Sequence, residues 1–282
     1  MSERHGSAQV DAVREIRLAA DIRSAGYEAG KPVIRDVRFT VAAGELVGLI
    51  GPNGAGKSTT IKAVLGLLAR MDGDIRFGAS GGSDAPGGPG ERESSGADGQ
   101  AASPGGSSGA SRQSGRYAYV PEHPVFYEYL TLWEHLRLAA AAFGIAEETF
   151  APRAERLLAR FRLSDRRHEL PATFSKGMQQ KMMLAIGFML EPDLYIVDEP
   201  FIGLDPHAVR DLLDLLEEER RRGAGILMST HVLDTAERVC DSFVLLDGGT
   251  VVARGGLDEV RKQAGLTSDA PLFDCFLELT KR

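Results

Sequence analysis

Long apolar runs are missing from this chain. No segment approaches the length that a bilayer-crossing helix needs, so work at a membrane would require spans from other chains. Cysteine is scarce. Cys240 and Cys275 lie far apart, with neither zinc-type spacing nor the density of a disulfide framework, which fits a reducing compartment. Residues 1–22 are studded with charge and lack the apolar centre of a secretory signal, so a cytosolic chain is expected. A basic excess is also missing. The 33 Lys and Arg residues face 40 Asp and Glu, for a net charge of −7. An acidic chain offers no broad positive face to phosphates, and no nucleic-acid partner is expected. What is there is 282 residues, 43% of them apolar, enough for one large domain or two small ones with a real core.

Against that background one stretch stands out. Residues 51–59 read Gly51, Pro52, Asn53, Gly54, Ala55, Gly56, Lys57, Ser58 and Thr59, which fits the phosphate-loop pattern G-x-x-x-x-G-K-[ST]. The run before it, residues 45–50, is short and apolar and suits a buried strand. Residues 60–69 after it carry Ile61, Val64, Leu65 and Leu68 at helical spacing. A strand feeding a glycine-rich turn that opens a helix aims several backbone N–H groups at one spot, on the positive end of a helix dipole. A triphosphate is the expected occupant. Lys57 should reach its β- and γ-phosphates, and the Ser58 hydroxyl should ligate Mg²⁺.

The rest reads as strands and helices in turn. Residues 14–18 make a candidate first strand with Ile16 and Leu18 inward, and Tyr27 falls in a turn between Gly26 and Gly30. Val37, Phe39 and Val41 alternate with polar residues over 33–41. Residues 74–77 read as a short strand. The composition then changes. Residues 78–115 are almost entirely Gly, Ser, Ala and Pro, with no aromatic or branched aliphatic residue. Such a stretch cannot bury enough apolar surface to offset its conformational entropy, so it reads as a disordered loop. Loop-closure entropy grows only with the logarithm of length, and the fold can carry it. Residues 116–122 form a strand ending at Pro121. Two helices follow over 130–161, separated at Gly144, with Trp133 as core packing. A third opens at Phe174 and runs to Leu190. This is a helical insert inside an α/β chain. Residues 193–199 are a buried strand tipped by Asp198 and Glu199, and residues 211–222 an amphipathic helix. Residues 225–231 form a strand ending in His231. Residues 242–252 form a hairpin turning at Asp247, Gly248 and Gly249, and the tail from Leu257 is helical.

The phosphate loop alone does not separate an ATPase from a kinase; the second carboxylate does. Asp198 at a strand end suits direct or water-mediated Mg²⁺ ligation, and Glu199 is placed to act as base or water-positioning group beyond the γ-phosphate. With these pieces together, the chain resembles the nucleotide-binding subunit of an ABC transporter over nearly its whole length. Tyr27 sits where that family places the aromatic that stacks on adenine, and residues 51–59 are its Walker A loop. Pro121 and Glu122 stand at the Q-loop, and residues 174–178 occupy the LSGGQ signature. Residues 194–199 match Walker B with its catalytic glutamate. Gly203, Leu204 and Asp205 match the D-loop, and His231 the switch histidine. More narrowly, residues 119–124, 174–181 and 277–281 resemble the Ecs-type ATPases of Gram-positive bacteria.

The resemblance implies a fold and a cycle. The fold is α/β, a P-loop NTPase (RecA-like) core with an N-terminal antiparallel β region and an inserted α-helical subdomain. Residues 1–282 would make one nucleotide-binding domain. Its core would cover about 14–130 and 191–250, its helical subdomain about 131–190, and its C-terminal hairpin and helix 242–282. The cofactors are ATP and Mg²⁺, with Ser58, Asp198 and Glu122 toward the metal. Lys57, Glu199 and His231 are the catalytic set. Ser175, Gly177 and Asp205 complete the ATP site, Ser175 and Gly177 from a second subunit, so a homodimer or a paired ATPase is implied. A polytopic membrane permease on a separate chain is the other partner, placing the protein on the inner face of the cell membrane. Two departures stand out. Glu122 replaces the family's Gln, and in the signature Lys176 replaces a Gly and Met178 the Gln. The Ecs likeness implies an exporter, and the alternative is a soluble regulatory ATPase acting without a permease. Ribosome-acting relatives carry two cassettes and chromosome ATPases insert coiled coils. This chain does neither, and its intact Lys57, Ser58, Glu199 and His231 argue against a dead binding module.

Overall fold

The computed structural model of the protein describes residues 14–78 and 116–281. The expected loop therefore lies, over 79–115, outside the described residues. In chain order the elements are β1 (Ile16–Gly26), β2 (Ile34–Ala42), β3 (Leu46–Ile50), α1 (Lys57–Val64), β4 (Arg70–Phe77) and β5 (Tyr117–Val120). Then come α2 (Leu132–Ala142), α3 (Glu147–Arg160), α4 (Lys176–Met189), β6 (Leu194–Asp198), α5 (Pro206–Arg222) and β7 (Gly225–Thr230). The chain closes with α6 (Leu233–Val239), β8 (Ser242–Asp247), β9 (Thr250–Gly255), α7 (Leu257–Gln263) and α8 (Leu272–Leu279).

Two sheets organise them. A six-stranded sheet runs β5-β6-β7-β3-β8-β9, parallel except for the antiparallel edge strand β9. A three-stranded antiparallel sheet runs β2-β1-β4. The larger sheet is buried on both faces, and its strands read as apolar runs because each successive side chain meets a different core. Along β6, Tyr195 and Val197 join the core under α2, α3, α4 and α5, whereas Leu194 and Ile196 join the core under α1 and the antiparallel sheet. Along β7, Ile226 and Met228 face the first core and Leu227 the second. A third cluster, with Phe243, Leu245, Val260 and Leu272, seats α6, α7 and α8 on β8. Among the described residues no helix is long and apolar enough to cross a membrane.

The mixed α/β expectation holds, and the parallel core with its helices between β5 and β6 is that of a P-loop NTPase. Trp133 packs on Phe150 with ring centroids 4.9 Å apart. Several local expectations need correction. Ile16 is 41% exposed, because β1 shifts register against β2 between Ile16 and Leu18. The bulge turns the alternation over there, and Arg17 is buried in its place. The first helix covers Lys57–Val64 rather than 60–69. The chain leaves it at Leu65 and Gly66, Gly66 with φ +69, and enters β4, which is twice as long as the strand expected at 74–77. The helix expected at 211 begins at Pro206, with the Asp205 carboxylate accepting the His207 and Ala208 N–H groups as its N-cap. Helix α6 was not expected at all. Finally, β4 and β5 are brought together across the undescribed stretch, with the Phe77 and Tyr117 rings stacked at 5.0 Å.

Candidate active site

The carboxyl ends of β3, β6 and β7 meet at one edge of the six-stranded sheet, where open α/β sheets bind their ligands. A cavity of about 400 Å³ opens there, lined by Val33, Pro52, Asn53, Gly54, Gly56, Lys57, Ser58, Thr59, Glu122, Glu199, Ile202 and His231. A larger groove of about 1060 Å³, between the antiparallel sheet and β8, β9 and α7, contains none of the motif residues.

The loop between β3 and α1 takes its shape from glycine. Gly54 and Gly56 have φ +83 and +105, and a Cβ at Gly56 would come 2.5 Å from Ile34 Cγ2. The loop delivers Lys57, the first residue of α1, into the cavity. Its Nζ donates to Gly51 O at 2.7 Å and Pro52 O at 3.3 Å, and lies 3.3 Å from Glu199 Oε1. Gly51 and Ala55 shape the loop without lining the cavity.

Glu199 sits just past the end of β6 in a left-handed conformation, φ +46, which costs a non-glycine residue about 1–2 kcal/mol. The neighbouring strand holds it there, since its N–H donates to both Ser229 O and Ser229 Oγ at 3.1 Å. Its Oε2 lies 2.9 Å from His231 Nδ1 and accepts the His231 backbone N–H at 3.3 Å. A carboxylate can only accept, so Nδ1 carries the proton and donates. Nε2 has no protein partner among the described residues.

Asp198 is buried one residue earlier, and Ser229 Oγ donates to its Oδ1. Burial raises the Asp198 pKa above the ordinary carboxylate value. The negative charges of Glu122 and Glu199 push it further, against the Ser229 hydrogen bond and the Lys57 charge. Tyr119, aligned with Ile196 in the β5–β6 register, feels the same acids. Its phenol is pushed up to about 12 by burial, then by Asp198 and Glu122. Glu122 itself lines the cavity.

Tyr27 stands outside the cavity, 54% exposed, tied to its rim through Thr59 Oγ1 at 3.4 Å and Lys62 Nζ at 3.4 Å. Ser175, Gly177 and Asp205 do not reach the cavity. Ser175 caps α4 by accepting the Met178 N–H, and Asp205 caps α5. Sequence reasoning missed Ser229, Val33 and Ile202. The only signal for Ser229 was its place two residues before His231, in a strand that had to lie beside the one ending in Asp198.

Chemically, the arrangement offers a phosphate one buried cation and a glycine-rich loop at a helix N-terminus, with a carboxylate–imidazole pair on the same cavity. A family model described as ABC transporter matches residues 34–202. The chain is 47% identical over 259 residues to YthP, an uncharacterized ABC transporter ATP-binding protein of Bacillus subtilis (strain 168), across 92% of this chain and 94% of that one. It is 46% identical over 250 residues to the ABC-type transporter ATP-binding protein EcsA of the same organism, across 89% and 91%. A solved structure of an ATP binding subunit of an ABC transporter superposes with a TM-score of 0.77 at 44% identity, covering 94% of this chain and 99% of that one.

Proposed function

Since the chain belongs to the ABC transporter family of ATP-binding subunits and hydrolyses ATP, we propose that it powers an exporter by ATP-driven closure and opening of a dimer. The observation that carries this reading is the convergence of Lys57, Glu199 and His231 on one cavity beside the glycine loop. Tyr27 stacks on adenine, residues 51–59 wrap the triphosphate, and Lys57 exchanges Glu199 for the β- and γ-phosphates. Glu199 takes the proton of the attacking water, and His231 contacts the γ-phosphate. Ser175, exposed at the N-cap of α4, and the half-buried Gly177 in its first turn meet the triphosphate held by a second copy, with Asp205 beside them. Residues 1–282 act as one nucleotide-binding domain.

The donor set fits Mg²⁺. Asp198 and Ser58 would hold it with Glu122 nearby, and no group of three or more acidic, His or Cys side chains among the described residues forms a complete cage. In such a nucleotide site Mg²⁺ would take its remaining ligands from phosphates and water. Bound there, Mg²⁺ would neutralise charge on the β- and γ-phosphate oxygens.

A polytopic permease on a separate chain meets the segment after Glu122, where Val125, Tyr127 and Tyr129 are exposed. With such a partner the chain would work on the inner face of the cell membrane, and the Ecs likeness supports export. The test is to purify the tagged chain from solubilised membranes and to run Glu199→Gln with ATP on a sizing column. A polytopic partner and an ATP-dependent dimer are expected. Recovery without any membrane protein would sink the transporter reading, and a monomer with ATP would sink the dimer cycle.

A further inference from the structure

The short turn that carries Glu199 away from β6 ends on a second fixed point, outside the cavity lining. Residues 199–205 run from the strand end to the N-cap of α5. Within them Ile202 N–H donates to Glu199 O and Leu204 N–H to Phe201 O, both at 3.3 Å. At the far end the Asp205 carboxylate divides its oxygens. Oδ1 accepts two N–H groups of α5 at 3.0 Å, and Oδ2 lies 2.6 Å from Lys181 Nζ on α4. Lys181 is 12% exposed. The Lys181 hydrogen bond, more than any other influence, holds the Asp205 carboxyl well below the usual carboxylate range, at about 2. One turn before Lys181, Gly177 touches the same segment: a Cβ there would come 2.7 Å from Gly203 O. Met178, Phe201 and Leu204 pack on one core nearby. Helix α4 and the turn are thus joined at two points, one ionic and one steric.

We propose that Lys181 is a positioning residue for hydrolysis, fixing through Asp205 the turn on which Glu199 is mounted. This rests on Glu199 acting as the base. Glu199 is held in a left-handed backbone conformation by Ser229 on one side only. On the other side its carbonyl begins the turn, which without Lys181 keeps its tie to α5 but loses its ionic tie to α4. An error of about 1 Å in the placement of a catalytic group lowers a rate by roughly 100-fold, so a partial loosening should lower kcat and leave nucleotide binding untouched. The cation is the relevant feature. Arginine at 181 can also reach a carboxylate, whereas methionine keeps the apolar stem and loses the charge.

The experiment uses the full-length chain and measures kcat, ATP affinity and melting temperature for Lys181→Met, Lys181→Arg, Asp205→Asn and the Lys181→Met/Asp205→Asn pair. Asparagine keeps the α5 cap, which separates charge from capping. Expected is a fall in kcat of about tenfold for Lys181→Met and Asp205→Asn, an ATP affinity unchanged in Lys181→Met, recovery with Lys181→Arg, and a double variant no slower than either single one. Turnover of Lys181→Met within about twofold of the starting protein, or effects that multiply in the double variant, would overturn the proposal. Glu199→Gln run alongside separates the two claims. If it hydrolyses ATP normally, the assignment of the base fails. If it is dead while Lys181→Met is normal, only the positioning role fails.

Discussion

Lys57 Nζ lies 3.3 Å from Glu199 Oε1, and both side chains are only 6% exposed. The cation proposed to meet a triphosphate thus has a carboxylate for its counter-charge, and that carboxylate is the one proposed to activate water. On the proposed mechanism, nucleotide takes Lys57 from Glu199 and so frees the carboxylate to accept a proton.

Glu199→Gln tests both halves of that exchange. The amide carries no charge to compete for Lys57, so ATP should bind more tightly, and phosphate release should fall by at least about 100-fold. Calorimetric titration with ATP and a phosphate-release assay read the two effects. Weaker ATP binding would contradict the competition, and near-normal release would remove Glu199 from the role.

Asp198 should make the protein less stable than it need be. Its folded pKa is raised, chiefly by burial, so its ionised form is disfavoured in the fold. The sign follows: no penalty below the ordinary carboxylate range, and a growing one as pH rises through it. Asp198→Asn should raise the melting temperature at pH 7 by a few degrees, while hydrolysis is lost. Near pH 3 the two proteins should melt alike. A variant that melts lower at pH 7 would refute this.

Glu122 adds a negative charge to the cavity where the family has an amide. Glu122→Gln should tighten ATP binding in the absence of Mg²⁺ and change it little in its presence, because the ion dominates the local field. ATP titrations of both proteins, with and without Mg²⁺, decide it. Curves that do not differ between the two proteins would mean that Glu122 does not sense the phosphates.

Tyr27 is exposed yet anchored through its hydroxyl to Thr59 and Lys62. Tyr27→Ala should weaken ATP binding by about 1–3 kcal/mol, the usual worth of a base–aromatic stack. Tyr27→Phe keeps the ring and should stay close to the starting affinity. Equal losses in the two variants would assign the contact to the hydroxyl instead of the ring.

What the sequence disclosed and what it hid follow from distance along the chain. The phosphate loop was legible because residues 51–59 make it alone, as do the strand ends at Glu199 and His231. Ser229 and Lys181 were not, because their partners are 30 or 31 and 24 residues away and only the β6–β7 register and the α4–α5 packing bring them close. Helix α6 was hidden because its seven residues bury one side chain, Ala236, and give almost no apolar period to detect. Ile16 was misread because a bulge reverses alternation without leaving a mark in the residue types.

The stack of Phe77 on Tyr117 makes a port in the molecule. Chain leaving the antiparallel sheet and chain entering the edge of the parallel one pass within one ring contact of each other. A reporter domain whose own two ends lie a few ångströms apart could be spliced between residues 78 and 116 without prising β4 from β5. Because β5 leads directly to Glu122, such a graft would ride on a strand whose far end opens onto the cavity, close to a charge that faces the proposed nucleotide.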